Sequence, residues 1–171
     1  MSRDTELVYA DHVGRYYQHH YAFAPMTGRL AGFLGICDPP QQTIAELAEA
    51  LLASRSAIAG AVKELEALRA VRRTRAAGDR VDRVGLNPDA GVNPRGFETA
   101  VYTEQGALFR EGLALLPETA TVQRAVLEEG AALADFMAEK LPAVIAEWIE
   151  HRDALRAAGR LMDPSNPKRR E

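Results

Sequence analysis

The 171-residue chain is predicted to be mainly α-helical with one small β-hairpin, on three observations. Ala and Leu abound while aromatic residues make up only 6% of the chain, a composition weighted toward strong helix formers. Apolar residues recur at three- and four-residue intervals through most of the sequence. The spacing changes to alternation between residues 71 and 86, around a Gly78-Asp79 turn. The length suits one compact domain with a helical extension better than two large domains.

Residues 5–23 contain no proline and place Leu7, Val8, Val13, Tyr16, Tyr17 and Tyr21 at spacings compatible with one helical face, with Gly14 as its weak point. Pro25 and Thr27 open a second helix, along which Leu30, Phe33, Leu34 and Cys37 recur, and Asp38-Pro39-Pro40 stops it. Thr43 followed three residues later by Glu46 is a capping box, and Ile44, Leu47, Ala48 and Leu51 are the stripe of the short helix it opens. Ser54 caps the next helix, whose core face is Ile58, Ala61, Val62, Leu65 and Leu68. So few residues separate these two that they must form a tight helix–turn–helix. Residues 71–75 and 81–86 then form the hairpin, and "NPDAGVNPRG" at 87–96 is a loop and the candidate boundary.

Beyond the loop the pattern is helical. Phe97, Val101, Leu108, Leu115 and Leu116 mark one helix, ended by Pro117. Val122, Val126, Leu133, Met137, Leu141, Val144 or Ile145, Trp148 and Leu155 mark a longer segment that Pro142 is expected to kink or divide, with Gly159 and Pro164 at its end. The expected organisation is an N-terminal helix (1–24), a central domain (25–90), C-terminal helices (97–160) and a disordered tail (161–171).

Charge is distributed unevenly. The formal net charge is -3, yet residues 41–96 carry nine basic against seven acidic side chains, while residues 97–163 carry six against twelve. Within "VRRTRAAGDRVDRVGL" (71–86) five arginines, Arg72, Arg73, Arg75, Arg80 and Arg83, face two acids. The single cysteine excludes an internal disulfide and a Cys-rich metal cluster, and Cys37 in an apolar run reads as a small buried hydrophobe. The four histidines, His12, His19, His20 and His151, form no ligand pattern and read as structural or solvated. No metal or cofactor is expected. No apolar run approaches the roughly 20 residues that span a bilayer, and the start of the chain lacks the order of a signal peptide, so a cytoplasmic protein is expected. There is no Gly-rich phosphate loop, nucleophile elbow or carboxylate pair in an apolar setting, so nothing indicates an enzyme.

Two short helices with a tight turn, followed by a basic hairpin, compose a winged helix–turn–helix. A helix fits the DNA major groove and its exposed side chains reach base edges. Opposite the core stripe, the helix opened by Ser54 carries Arg55, Ser56, Ala59, Gly60 and Lys63. Arg55 suits guanine, Ser56 a base or phosphate, Lys63 a phosphate, and Ala59 and Gly60 allow close approach. The hairpin arginines suit the DNA backbone or a narrow minor groove. The plainer reading of such arginines is a solvated face. The succession of cap, turn, polar face and basic wing between Thr43 and Leu86 favours DNA. The DNA-facing set is therefore Thr43, Ser54, Arg55, Ser56, Lys63, Arg72, Arg73, Arg75, Arg80 and Arg83.

Residues 28–89, with Gly28-Arg29, an apolar helix, Asp38-Pro39-Pro40, "AELAEALLASR" and a basic wing, resemble the GbsR/MarR-type winged-helix transcriptional regulators. The resemblance implies a homodimeric repressor or activator on a near-palindromic DNA operator. It also implies terminal helices at the dimer interface and, in many members, a small ligand that alters DNA affinity. It assigns recognition to Ser54, Arg55, Ser56 and Lys63 and the wing to Arg75, Arg80 and Arg83. The sequence departs from the pattern after "SR", where "SAIAGAV" replaces a Ser/Thr-rich face. The apolar stripes of the acidic C-terminal helices fit a two-fold interface that spaces two recognition helices about one DNA turn apart. Tyr16, Tyr17, Phe33, Tyr102 and Phe109 are the expected walls of an effector pocket for a cationic or apolar molecule, although aromatics at helical spacing are more often plain core. The donor-poor recognition face supports an alternative, a winged module that binds protein rather than DNA.

Overall fold

Six helices and three strands account for the regular structure among the described residues of the computed structural model, which are 3–75, 78, 80–88 and 98–163. They divide into two units, Met1–Asn93 and Pro94–Glu171.

In the first unit, α1 (Arg3–Tyr21) packs against α2 (Pro25–Leu34), and the face it buries differs from the expected stripe. Ala10 and Gly14 are buried, Leu7, Val13 and Tyr17 are half-buried, and Val8, Tyr16 and Tyr21 are exposed. The reason is close approach: Gly14 lies against Gly28, so the small residues form the seam and the bulky ones flank it. Pro at the first position of α2 needs no N–H there, which is why Pro25 opens the helix. The helix ends at Leu34, short of Cys37, but the N–H groups of Gly35, Ile36 and Cys37 still bond back to Ala31, Gly32 and Phe33 carbonyls. Cys37 is buried, and burial pushes its thiol pKa up.

Strand β1 (Gln41–Thr43) leads into α3 (Ile44–Ala50), then α4 (Arg55–Ala67), β2 (Val71–Thr74) and β3 (Arg83–Leu86). The hairpin thus exists with shorter strands than the alternation suggested. It gains a third strand: the sheet is antiparallel in the order β1-β3-β2, with Gln42 opposite Val84 and Arg73 opposite Val84 on the other side. Three polar residues, Gln-Gln-Thr, carry no apolar alternation, so β1 left no mark in the sequence pattern. Leu30, Phe33, Leu34, Leu47, Leu51, Ile58, Val62, Leu65, Val71 and Val84 belong to one core, which takes in the expected stripes of α2, α3 and α4 except half-buried Leu68 at the end of α4 and Ile44, which packs against it.

The α3–α4 turn is built from a Schellman cap, with Ala53 N–H donating to Ala48 O at 2.9 Å. Leu52 sits at the left-handed position with φ 52° and is 76% exposed. A β-carbon is strained there and the side chain gains no packing, so Leu52→Gly should stabilise the unit by about 0.5–1 kcal/mol. A rise in the urea midpoint at unchanged slope is the expected observation; a fall would mean that the leucine makes a stabilising contact.

In the second unit, α5 (Thr99–Leu115) packs against α6 (Thr121–Ala157). Pro142 neither divides nor ends α6, which is one continuous 37-residue helix. A proline removes a single backbone hydrogen bond, and the turns on either side retain theirs. The seam again uses small residues, with Gly106, Ala131 and Ala134 buried together with Leu141, and Phe109 resting over Gly130. Arg110 donates to Asp135 across the pair. Much of the expected α6 stripe is exposed in the single chain: Val122, Val126, Leu133, Val144 and Trp148, joined by Val101, Leu108 and Leu115 of α5. Phe97, Asp79, most of the 87–96 loop and the tail from 164 lie outside the described residues. No helix among the described residues is long and apolar enough to cross a membrane.

Candidate nucleic-acid interface

Two caps fix the helix–turn–helix. Thr43 Oγ1 accepts from Glu46 N–H at 3.2 Å while Glu46 Oε2 accepts from Thr43 N–H at 2.6 Å, the reciprocal capping box. The Thr43 N–H, then its hydroxyl and Arg83, hold the Glu46 carboxyl below its ordinary pKa. Ser54 Oγ accepts from Ala57 N–H at 3.1 Å and lies 3.0 Å from Ser56 Oγ. The hydroxyls of Thr43 and Ser54 are thus engaged in holding the helix starts, which points Arg55 and Ser56 outward as the first exposed residues of α4.

The exposed face of α4 carries Arg55, Ser56, Gly60 and Lys63, with Ala59 half-buried at its edge. Gly60 is open: a Cβ built there meets nothing within 4 Å. The fold therefore gives this glycine no steric reason, although glycine in a helix interior is destabilising by about 0.5–1 kcal/mol relative to alanine.

Within the wing, Arg73, Arg75 and Arg83 are engaged in ion pairs. Arg73 Nε donates to Glu66 Oε1 at 3.0 Å, Arg75 Nε to Asp82 Oδ1 at 2.7 Å, and Arg83 Nη1 to Glu46 Oε2 at 3.1 Å and Gln41 O at 3.4 Å. Arg83 thereby ties β3 to β1 and to the start of α3. The Arg75 guanidinium holds the Asp82 carboxyl below its ordinary pKa, and Asp82 raises that of Arg75 in return. Arg72 and Arg80 are exposed. Between wing and helices lies an open depression of about 270 Å³ lined by Thr43, Ile44, Ala45, Arg55, Arg73, Val81 and Asp82. The structure thus brings Thr43, Arg55 and Arg73 to one surface, while Lys63 lies two helical turns along α4 from Arg55.

The aromatic residues assigned to an effector are distributed over both units. Phe33 is 3% exposed and fills the core of the first unit, so it walls no pocket; its apolar neighbours on α2, α3 and α4 close over it. Tyr16 and Tyr17 belong to a cluster at the end of α1 with Tyr21 and Phe23, in which Tyr17 stacks on Phe23 at 5.2 Å and meets Tyr16 edge-on at 5.5 Å. Tyr102 and Phe109 are half-buried on α5 of the second unit. All four histidines are exposed, and no group of three or more His, Cys, Asp or Glu able to hold a metal occurs among the described residues. What the sequence reading missed is the pairing of the wing arginines with the acids Glu66, Asp82 and Glu46. The signal was present in "RVDR", where an acid sits between two wing arginines.

Residues 25–80 match the model of the MarR family, and residues 97–152 match that of MmpR5-like MarR family transcriptional regulators. The chain is similar to the HTH-type transcriptional regulator MmpR5 of Mycobacterium tuberculosis, with 34% identity over 84 residues that make up 49% of this chain and 50% of that protein. It thus matches about half the length of this curated relative. A crystal structure described as a transcriptional regulator is similar with a TM-score of 0.73 and 25% identity, covering 85% of this chain and 99% of that one.

Proposed function

We propose that this chain, a MarR-type winged helix–turn–helix protein over its two matched segments, is a dimeric regulator of transcription, a repressor, that binds a double-stranded DNA operator. The observation that carries this reading is the exposed α4 face of Arg55, Ser56, Gly60 and Lys63 beside a hairpin with five arginines. Arg55 reads a base edge, Lys63 and Ser56 position the backbone, and exposed Arg72 and Arg80 extend the wing along phosphate or minor groove. A two-fold pairing through α5 and α6 gives their exposed apolar residues a partner, and a dimer carries two copies of α4, one for each half of a near-palindromic operator. A small effector of cationic or apolar chemistry would act on aromatic side chains, of which Tyr16 and Tyr17 lie on α1 of the first unit and Tyr102 and Phe109 on α5 of the second.

The test is binding of a fragment of the protein's own promoter region over a range of salt. Affinity should fall steeply as salt rises. Arg55→Ala should relax preference at one base pair by about 1–3 kcal/mol, whereas Arg80→Ala should weaken every sequence alike and reduce the salt slope by about 1. A protein that shifts no fragment at low salt, or two variants with identical sequence profiles, would count against the reading. The engaged Arg73, Arg75 and Arg83 support the second reading, a winged module that docks another protein. Co-purification of a stoichiometric partner, with Arg-to-Glu wing changes leaving DNA affinity untouched, would favour it.

A further inference from the structure

We infer that Asp82 is a specificity-determining residue of the wing: it masks Arg75 and lowers the affinity of the protein for DNA of arbitrary sequence. The inference rests on the DNA-binding reading above. Three observations lead to it. Asp82 lies 2.7 Å from Arg75 Nε, so the wing presents this arginine with its charge already balanced. Asp82 also lines the open depression it shares with Arg55 of α4 and Arg73 of the wing, so its carboxylate stands among the cations that the DNA-binding reading brings against phosphate. Finally, the fold does not call for it. The side chains of Arg75 and Asp82 are 57% and 35% exposed, and exposed pairs of this kind contribute little to stability.

The other two acids differ. Glu46 is held by the Thr43 backbone as half of a capping box and ties Arg83 to α3, so it has a structural role. Glu66 lies on α4 and joins that helix to β2 through Arg73. Asp82 belongs to the wing itself.

The physical effect is on the sequence-independent part of binding. Each phosphate neutralised by an arginine releases counterions, and that release supplies essentially all the affinity for random DNA. An arginine with a carboxylate beside it either leaves the phosphate unneutralised or brings a like charge against it. Random DNA therefore loses one favourable term. An operator whose base contacts fix the wing in place recovers that term by drawing Arg75 away from Asp82. The acid thus widens the gap between operator and random sequence rather than strengthening either.

The experiment compares the wild-type protein, Asp82→Asn and Asp82→Glu on a random-sequence duplex and on the promoter fragment, across a range of salt. Asp82→Asn should bind the random duplex about tenfold more tightly at low salt, with a plot of log K against log salt steeper by about 0.9. Its promoter affinity should rise by less, so the ratio of the two falls. Asp82→Glu, which keeps the charge, should behave as wild type, and equal melting temperatures establish that all three are folded. If wild type and Asp82→Asn bind random DNA with the same affinity and slope, the masking role is overturned while DNA binding stands. If no variant binds any duplex at low salt, the DNA reading itself fails and the inference falls with it.

Discussion

Gly28→Val should destabilise the first unit by about 3 kcal/mol. The reason lies in what stands against the missing side chain. A Cβ at Gly28 would lie 2.9 Å from Gly14 Cα, 3.1 Å from Gly14 O and 3.2 Å from Tyr17 Cβ. The nearest two obstacles are backbone atoms of α1, which cannot rotate aside, so α1 and α2 would have to separate. Separation would open the seam above Ala10 and Leu30, both fully buried. Gly14 is the informative comparison, because a Cβ there first meets Arg29 Cγ, at 2.8 Å, the stem of a flexible side chain. Moving it would disturb the Arg29–Asp11 ion pair, a partly exposed contact of modest worth. Gly14→Ala is therefore expected to be milder. Urea unfolding followed by circular dichroism distinguishes the two, and equal losses would show that the backbone crossing is not the constraint.

The same seam shows where the sequence could be read and where it could not. Gly14 looked like a defect in an amphipathic helix, because periodicity scores bulky apolar residues and is blind to a helix that packs through the absence of side chains. Tyr16, Tyr21 and Val8 fitted a helical spacing but lie outside the buried face, since Gly28 draws α1 in at Gly14 instead. The caps were legible because they are local: Thr43-Glu46 and Ser54 lie within one turn of the groups they satisfy. The core stripes of α3 and α4 were legible for the same reason. Strand β1 was not, since its pairing with β3 depends on residues forty positions away and none of its three residues is apolar.

At the wing, the arginines were visible in the sequence but their state was not. Local reading finds five cations, and only the folded chain brings Glu46 and Glu66 to Arg83 and Arg73. Phe33 shows the converse error, an aromatic assigned to a pocket when its place in the α2 stripe made it core. Both follow from one limitation: charge and aromaticity identify residues able to bind, and tertiary packing decides which of them are already engaged.

Gly60→Glu should abolish operator binding, by a hundredfold or more, while leaving the fold as stable as before or slightly more so. Gly60 follows Ser56 by four residues and precedes Lys63 by three, so the three share one face of α4. A Cβ at this position has open space around it, and Glu is a better helix former than Gly, so nothing in the free protein opposes the change. The complex would meet a bulky carboxylate in the groove, among acceptors and phosphates, where a bare backbone stood before. Gly60→Ala separates shape from charge. It should raise stability by about 1 kcal/mol and weaken operator binding only if the backbone at 60 approaches the bases closely. Melting curves and salt-dependent binding on the same samples read both effects. Should Gly60→Glu bind the promoter fragment as the wild type does, the α4 face does not enter the groove, and the wing arginines would have to carry recognition alone.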